Sequence, residues 1–207
     1  MGYIHGAHAA MTLFLRQDAG TLINVVSMAG WAPTPLAASY SASKYGNRGF
    51  SEALRIELAG HPRIKICDLY PAFVDTPMLE HVANYTGRGI APVPPVVGVE
   101  RVARKIVSLA ERPRAFNPMG LPFPLAVGFH SVAPGAFRWT VGRAAKVFLA
   151  RAPVSPRTSG AVFTEVPGGA PQVGGLKSPG LRVGVAVASL AAAAAAGAVW
   201  LARKGRR

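Results

Sequence analysis

Two strand-like runs separated by a helix-length segment limit this chain more than any other feature. Thr21-Leu22-Ile23-Asn24-Val25-Val26-Ser27 is a short β-branched run of the kind buried in parallel sheets. Arg63 to Pro71 repeats the pattern, with Ile64, Ile66 and Leu69 apolar and Pro71 as its end. The stretch between them is far too long for a hairpin and long enough for a crossover helix. Strands alternating with helices over long crossovers predict an α/β fold, doubly wound and mainly parallel, with these two strands as neighbours. Helices are expected near Met1–Leu15, Ser39–Ala59 and Val99–Arg112.

The helices carry their own signals. Gly60 and Pro62 stop the second, and Arg48 with Glu52 makes a supportive i,i+4 pair on it. Gly46 and Gly49 each cost roughly 1 kcal/mol relative to alanine there, which suggests close backbone approach. The third presents Val99, Val102, Ile106, Val107 and Leu109 as its apolar positions. The single cysteine, Cys67, excludes an intrachain disulfide and reads as a buried core residue. His5 and His8 have no partner at metal-ligand spacing, so no metal site is expected.

Chemistry enters with Tyr40-Ser41-Ala42-Ser43-Lys44. If Tyr40 opens a helix, Lys44 follows at i+4 on the same face. An ammonium beside a phenol favours the phenolate, which suits a tyrosine to acid–base work on a hydroxyl or carbonyl. Ser27, at the C-terminal end of its strand, would point into the crevice where open α/β sheets bind ligands. Tyr-x-x-x-Lys alone arises by chance on amphipathic helices; the Ser-ended strand before it and Pro71-Ala72-Phe73-Val74-Asp75-Thr76-Pro77 after it give it context.

Together, Gly20 through Ser27, Tyr40 through Lys44 and Pro71 through Thr76 resemble the short-chain dehydrogenase/reductase family, over roughly positions 1–112. The resemblance implies a Rossmann-type domain that passes hydride between NAD or NADP and an alcohol or ketone carbon. Ser27, Tyr40 and Lys44 would be catalytic, with Tyr40 and Lys44 also holding the ribose. Pro71 and Thr76 would border the nicotinamide, Thr76 bonding its carboxamide. Ala72 replaces the glycine usual after this proline, and would be strained if the turn needs positive φ. The segment Met78 to Val97 would be the substrate loop, and its apolar residues favour a lipophilic alcohol or ketone. The helices near 1–15 and 39–59 would form a homodimer interface.

Residues 1–120 are thus expected to be the C-terminal part of a Rossmann-type domain, with 121–150 an apolar and basic segment completing or flanking it. Residues 151–180 have the Pro/Gly-rich composition of a linker. No glycine-rich pyrophosphate-binding turn lies between Met1 and Tyr40, so the cofactor-binding half is expected to be missing from this chain. A misplaced start codon or a truncated gene is favoured, and the chain alone is expected to be inactive. The alternative is a non-enzymatic, membrane-associated remnant used for protein interaction. Lys and Arg number 23 against 9 Asp and Glu, but they lack the aromatic interleaving of a nucleic-acid surface, and no nucleic acid is expected as partner. Within 181–207, the uncharged run Val183–Ala202 has the length of a membrane-spanning helix and is followed by Arg203-Lys204-Gly205-Arg206-Arg207. It predicts anchorage at the cytoplasmic face of a membrane.

Overall fold

The computed structural model describes residues 1–90, 96–120 and 122–163 of the chain. They fall into two compact units, one built from Met1–Ala72 and Glu100–Pro124, the other from Phe73–Val99 and the residues from Leu125 on.

The first unit is organised on a three-stranded parallel sheet in the order β1 (Gly20–Val25), β2 (Ile64–Pro71), β3 (Phe116–Met119). β1 and β2 are neighbours in register from Gly20 opposite Ile64 to Val25 opposite Leu69. The apolar residues of β2 are buried, with Ile64, Ile66, Cys67, Leu69 and Tyr70 all in the core, while Lys65 faces outward. Cys67 is a free, buried thiol whose pKa desolvation raises. β3 pairs with β2 from Asp68 opposite Phe116 to Pro71 opposite Met119. It escapes the sequence pattern because it is four residues long and contains Pro118, which restricts it to a sheet edge. Tyr70, Phe116 and Phe123 pack as a ring cluster, with centroids 5.2–5.7 Å apart.

Helices α1 (Gly2–Gln17), α2 (Ala38–Glu57) and α4 (Val99–Glu111) stand where the apolar patterns place them, and the four-residue α3 (Met78–His81) lies between the last two. In α4 Leu109 is buried but Val107 is exposed, so the apolar stripe is narrower than its sequence suggests. α1 ends at Asp18 in the left-handed conformation, which short polar side chains tolerate. Asp18 accepts hydrogen bonds from Arg63 at 2.6 Å and pairs with His61 at 3.1 Å, tying the end of α1 to the entry of β2. Its carboxyl is held below the ordinary 3.8 by the His61 hydrogen bond first and Arg63 second. A carboxyl lowered on folding adds stability above its unfolded pKa and loses it as pH falls through the folded one. Asp18→Asn is therefore expected to lower the urea midpoint at neutral pH and above, and its difference from the unsubstituted chain should vanish as pH falls through the Asp18 titration.

The second unit holds a short parallel bridge between Val74 and Val97, with Asp75 N–H donating to Val97 O at 2.9 Å. Residues of the expected substrate loop pair antiparallel with the start of the expected linker: Asn84 with Thr158 and Arg88 with Val154. The buried Asn84 closes the turn between, accepting from Thr86 N–H and donating to Arg88 O at 2.8 Å. Gly160 is left-handed, and a Cβ there would press on the Val82 backbone at 2.7 Å. Helices α5 (Pro122–Val132) and α6 (Pro134–Arg151) follow. Pro134 opens α6 at a position where a missing N–H costs nothing.

The membrane assignment requires correction. Among the described residues no helix is long and apolar enough to cross a membrane. α5 has only 11 residues, and α6 carries Arg138, Arg143, Lys146 and Arg151. The stretch Val183–Ala202, on which the anchored localisation and the hydrophobic C-terminal helix rested, lies outside the described residues.

Candidate active site

β1 ends at Val25, two residues before Ser27, so Ser27 is not the last strand residue but the cap of the 3-10 turn Met28–Gly30. Its Oγ accepts from Ala29 N–H at 3.1 Å. That bond uses an acceptor lone pair; among the described residues the hydroxyl proton has no protein acceptor and is free to donate.

The turn is bound tightly to α2. Tyr45 Oη donates to Trp31 O at 2.6 Å, and Ser41 Oγ accepts from Thr34 N–H at 3.0 Å. Arg48 stacks on the Trp31 ring at 3.2 Å and donates to Gly30 O. This stacking overturns the expected Arg48–Glu52 pair: Glu52 bonds Arg55 instead, at 3.0 Å. Gly30 is the point of closest approach, since a Cβ there would stand 2.9 Å from the Lys44 carbonyl oxygen and 3.2 Å from Val26 Cγ1. Gly30→Ala must push α2 away at Lys44, and is expected to cost about 1–3 kcal/mol by overpacking. Urea unfolding of the variant measures it. At Gly46 and Gly49, by contrast, an added Cβ would have nothing within 4 Å, so among the described residues no neighbouring backbone approaches them.

Tyr40 and Lys44 are one turn apart in α2, and Lys44 Nζ lies 5.7 Å from the centre of the Tyr40 ring. Tyr40 is 37 % exposed, open to a ligand. Lys44 is anchored from its far side by Tyr3 of α1 and by β1. Its Nζ donates to Tyr3 Oη at 3.3 Å and to Val25 O at 3.4 Å, while Tyr3 Oη donates to the same carbonyl. Burial pushes the Lys44 ammonium below the ordinary lysine range. Burial also raises the Tyr3 phenol, with the neighbouring Tyr40 and Asp68 adding to it. Tyr3 was not legible as a site residue: it is 41 positions from Lys44, and nothing in the local pattern of α1 marks it.

Pro71 is buried at the end of β2, and Ala72 N–H donates to Met119 O at 3.0 Å. Among the described non-glycine residues only Asp18 and Leu36 have positive φ, so Ala72 carries none of the strain considered for it. Thr76 belongs to the second unit, where its N–H donates to Val74 O at 2.8 Å.

A parallel sheet, a Ser-capped turn and a Tyr–Lys helix are thus assembled within one unit. Residues 1–86 match the profile of the short chain dehydrogenase family. Over that stretch the chain is similar to the short-chain dehydrogenase/reductase family. Among curated members, it is 35% identical over 79 residues to an uncharacterised oxidoreductase of Staphylococcus epidermidis, covering 38% of this chain and 34% of that one. It is 33% identical over 115 residues to a 3-oxoacyl-[acyl-carrier-protein] reductase of Synechocystis, covering 56% and 46%. A short-chain dehydrogenase of Burkholderia cenocepacia, solved in complex with NADP, superposes with a TM-score of 0.51 at 25% identity, covering 64% of this chain and 52% of that one. The chain therefore spans between a third and about a half of the length of these short-chain dehydrogenase relatives.

Proposed function

We propose that this chain supplies the proton-transfer apparatus of an NAD(P)-dependent oxidoreductase acting on a lipophilic alcohol or ketone. The observation that carries the reading is the half-buried Lys44 ammonium beside the exposed Tyr40 ring, anchored by Tyr3 and Val25. Tyr40 gives a proton to the carbonyl oxygen as it becomes an alkoxide, and takes it back in the reverse direction. Lys44 offsets the negative charge left on the Tyr40 oxygen during that transfer. Ser27, whose hydroxyl proton is unused, donates to the same carbonyl oxygen and polarises it. Tyr3 and Val25 O fix Lys44 so that little reorganisation is needed at the moment of transfer.

The donor set suits the ribose end of a nicotinamide cofactor, which supplies the hydride when bound; Tyr40 and Lys44 would hold it there, with Pro71 bordering the ring. NADP in the Burkholderia relative supports a nicotinamide cofactor here. The pyrophosphate needs a glycine-rich turn at a helix N-terminus, and residues 1–40 contain none, so the 207 residues alone should not turn over. The test is NADH and NADPH consumption by the natural protein with aliphatic and cyclic ketones. Saturable consumption with one cofactor supports the reading; no consumption with any ketone removes it.

A homodimer through α1 and α2 is a second part of the proposal. Ile4, Leu13 and Leu15 of α1 and Ile56 of α2 are exposed, and Gly46 and Gly49 leave α2 open to close approach. The same surface serves the competing reading, an interaction remnant without catalysis. Sedimentation of Ile56→Asp tests the contact, and the ketone assay separates the two readings.

A further inference from the structure

The second unit contains a groove of about 690 Å³ that neither the sheet nor the Ser–Tyr–Lys group touches. Two i,i+4 rows of α6, Arg143–Val147–Arg151 and Ala144–Phe148, together with its C-cap Ala152 form one wall. Among the described residues, Gly89, Ile90 and Pro153 line the opposite side, held by Gly89 N–H donating to Pro153 O at 2.8 Å. The lining is carbon almost throughout, and its volume is in the range of small-molecule sites, roughly 300–1,000 Å³.

Charge decides the occupant. Arg143 and Arg151 flank the groove, and neither is in a salt bridge among the described residues. Among the described residues Arg143 has only the Trp139 ring, at 5.7 Å. No Asp or Glu occurs from Arg112 to Thr164, so no nearby carboxylate in sequence competes for these guanidiniums. A second copy of a chain with net charge +14 would bring more positive charge to the same place. The chain's own run 183–202 is flanked by Arg182 and by Arg203, Lys204, Arg206 and Arg207, and would do the same. A flat anionic bilayer satisfies the charge but not the concave apolar floor between Ile90 and Phe148.

We propose that this groove binds a free anionic amphiphile of the medium- to long-chain carboxylate class. The aliphatic body lies along Val147, Phe148 and Ile90, and the carboxylate takes a charge-assisted hydrogen bond from a flanking arginine. The arginine stems extend the apolar wall while their heads meet water and ligand.

Calorimetric titration of the full chain with octanoate, decanoate and dodecanoate below micelle formation tests this, with decanol as the neutral control. One-to-one binding is expected, tightening about tenfold for each two methylenes added. Arg143→Gln combined with Arg151→Gln, both at solvent-facing positions that leave the fold intact, should weaken decanoate at least tenfold and leave decanol unchanged. Affinity independent of chain length, decanol equal to decanoate, or an unaffected double variant would overturn the proposal. So would binding seen only with anionic vesicles, or only after deletion of residues 164–207, which would make a bilayer or the chain's own tail the occupant. No nicotinamide cofactor enters the experiment, so its outcome is independent of the oxidoreductase reading.

Discussion

Asp68→Ala is expected to lower the unfolding free energy by about 3–5 kcal/mol, the usual cost of leaving one member of a buried ion pair alone. Asp68 lies in β2 with no exposed surface, and its Oδ2 accepts from Arg55 at 2.9 Å and from Tyr70 Oη at 3.0 Å. Burial and this carboxylate together push the Tyr70 phenol far above its ordinary range. Arg55 reaches from α2 across the sheet, also donating to Ile66 O and Ala115 O at 3.1 Å each. It therefore joins α2, β2 and the approach to β3. Removing the carboxylate strands a guanidinium whose side chain is 18% exposed, with the more exposed Glu52 as its remaining ion-pair partner. Asp68 Oδ1 has no hydrogen-bond partner among the described residues, so the pair is incompletely satisfied and the lower half of the range is the better expectation. A melting temperature lower by roughly 10 °C follows for a domain of this size. A change under 1 kcal/mol would show that Arg55 repacks without cost. Asp68→Asn, which keeps an acceptor for Tyr70 and Arg55, should lose less.

The second large effect belongs to Tyr40. Tyr40→Phe in the natural protein is expected to lower the rate of ketone reduction by about 10²–10⁴-fold, the range that positioned general acid–base catalysis contributes. Affinity for the nicotinamide cofactor should stay within a few fold, because Lys44 keeps its seat on Tyr3 and Val25 O whether or not the Tyr40 hydroxyl is present. Loss of rate together with loss of cofactor binding would instead assign Tyr40 a structural role.

β1 and β2 were legible because each is a short run rich in apolar and β-branched residues between turn residues, and a long crossover leaves parallel pairing as the simplest arrangement. β3 was not, because Asn117 and Pro118 contradict strand propensity and only pairing with β2 overrides it. Pro122, Pro124 and Gly128 likewise hid α5, and α6 lacks the strong apolar stripe that betrays α4. Ser27 was legible near the end of a strand, but its place as a 3-10 cap was not, since that depends on backbone that turns only after Val26. Within the site, the Tyr40–Lys44 spacing follows from helix geometry alone, whereas Tyr3 is joined to Lys44 only by the packing of α1 on β1. Arg48 was assigned the nearest acidic residue on its own helix; the Trp31 ring that holds it comes from a separate turn.

Isotope transfer tests the oxidoreductase reading most directly. The natural protein is incubated with a lipophilic ketone and NADPH or NADH deuterated at the transferring carbon, and the alcohol formed is examined by mass spectrometry. Deuterium on the carbinol carbon of the product, absent or slower by at least 10²-fold with Tyr40→Phe, is the expected result. Alcohol formed at the same rate by wild type and Tyr40→Phe, or cofactor consumed with no label in the alcohol, would contradict it.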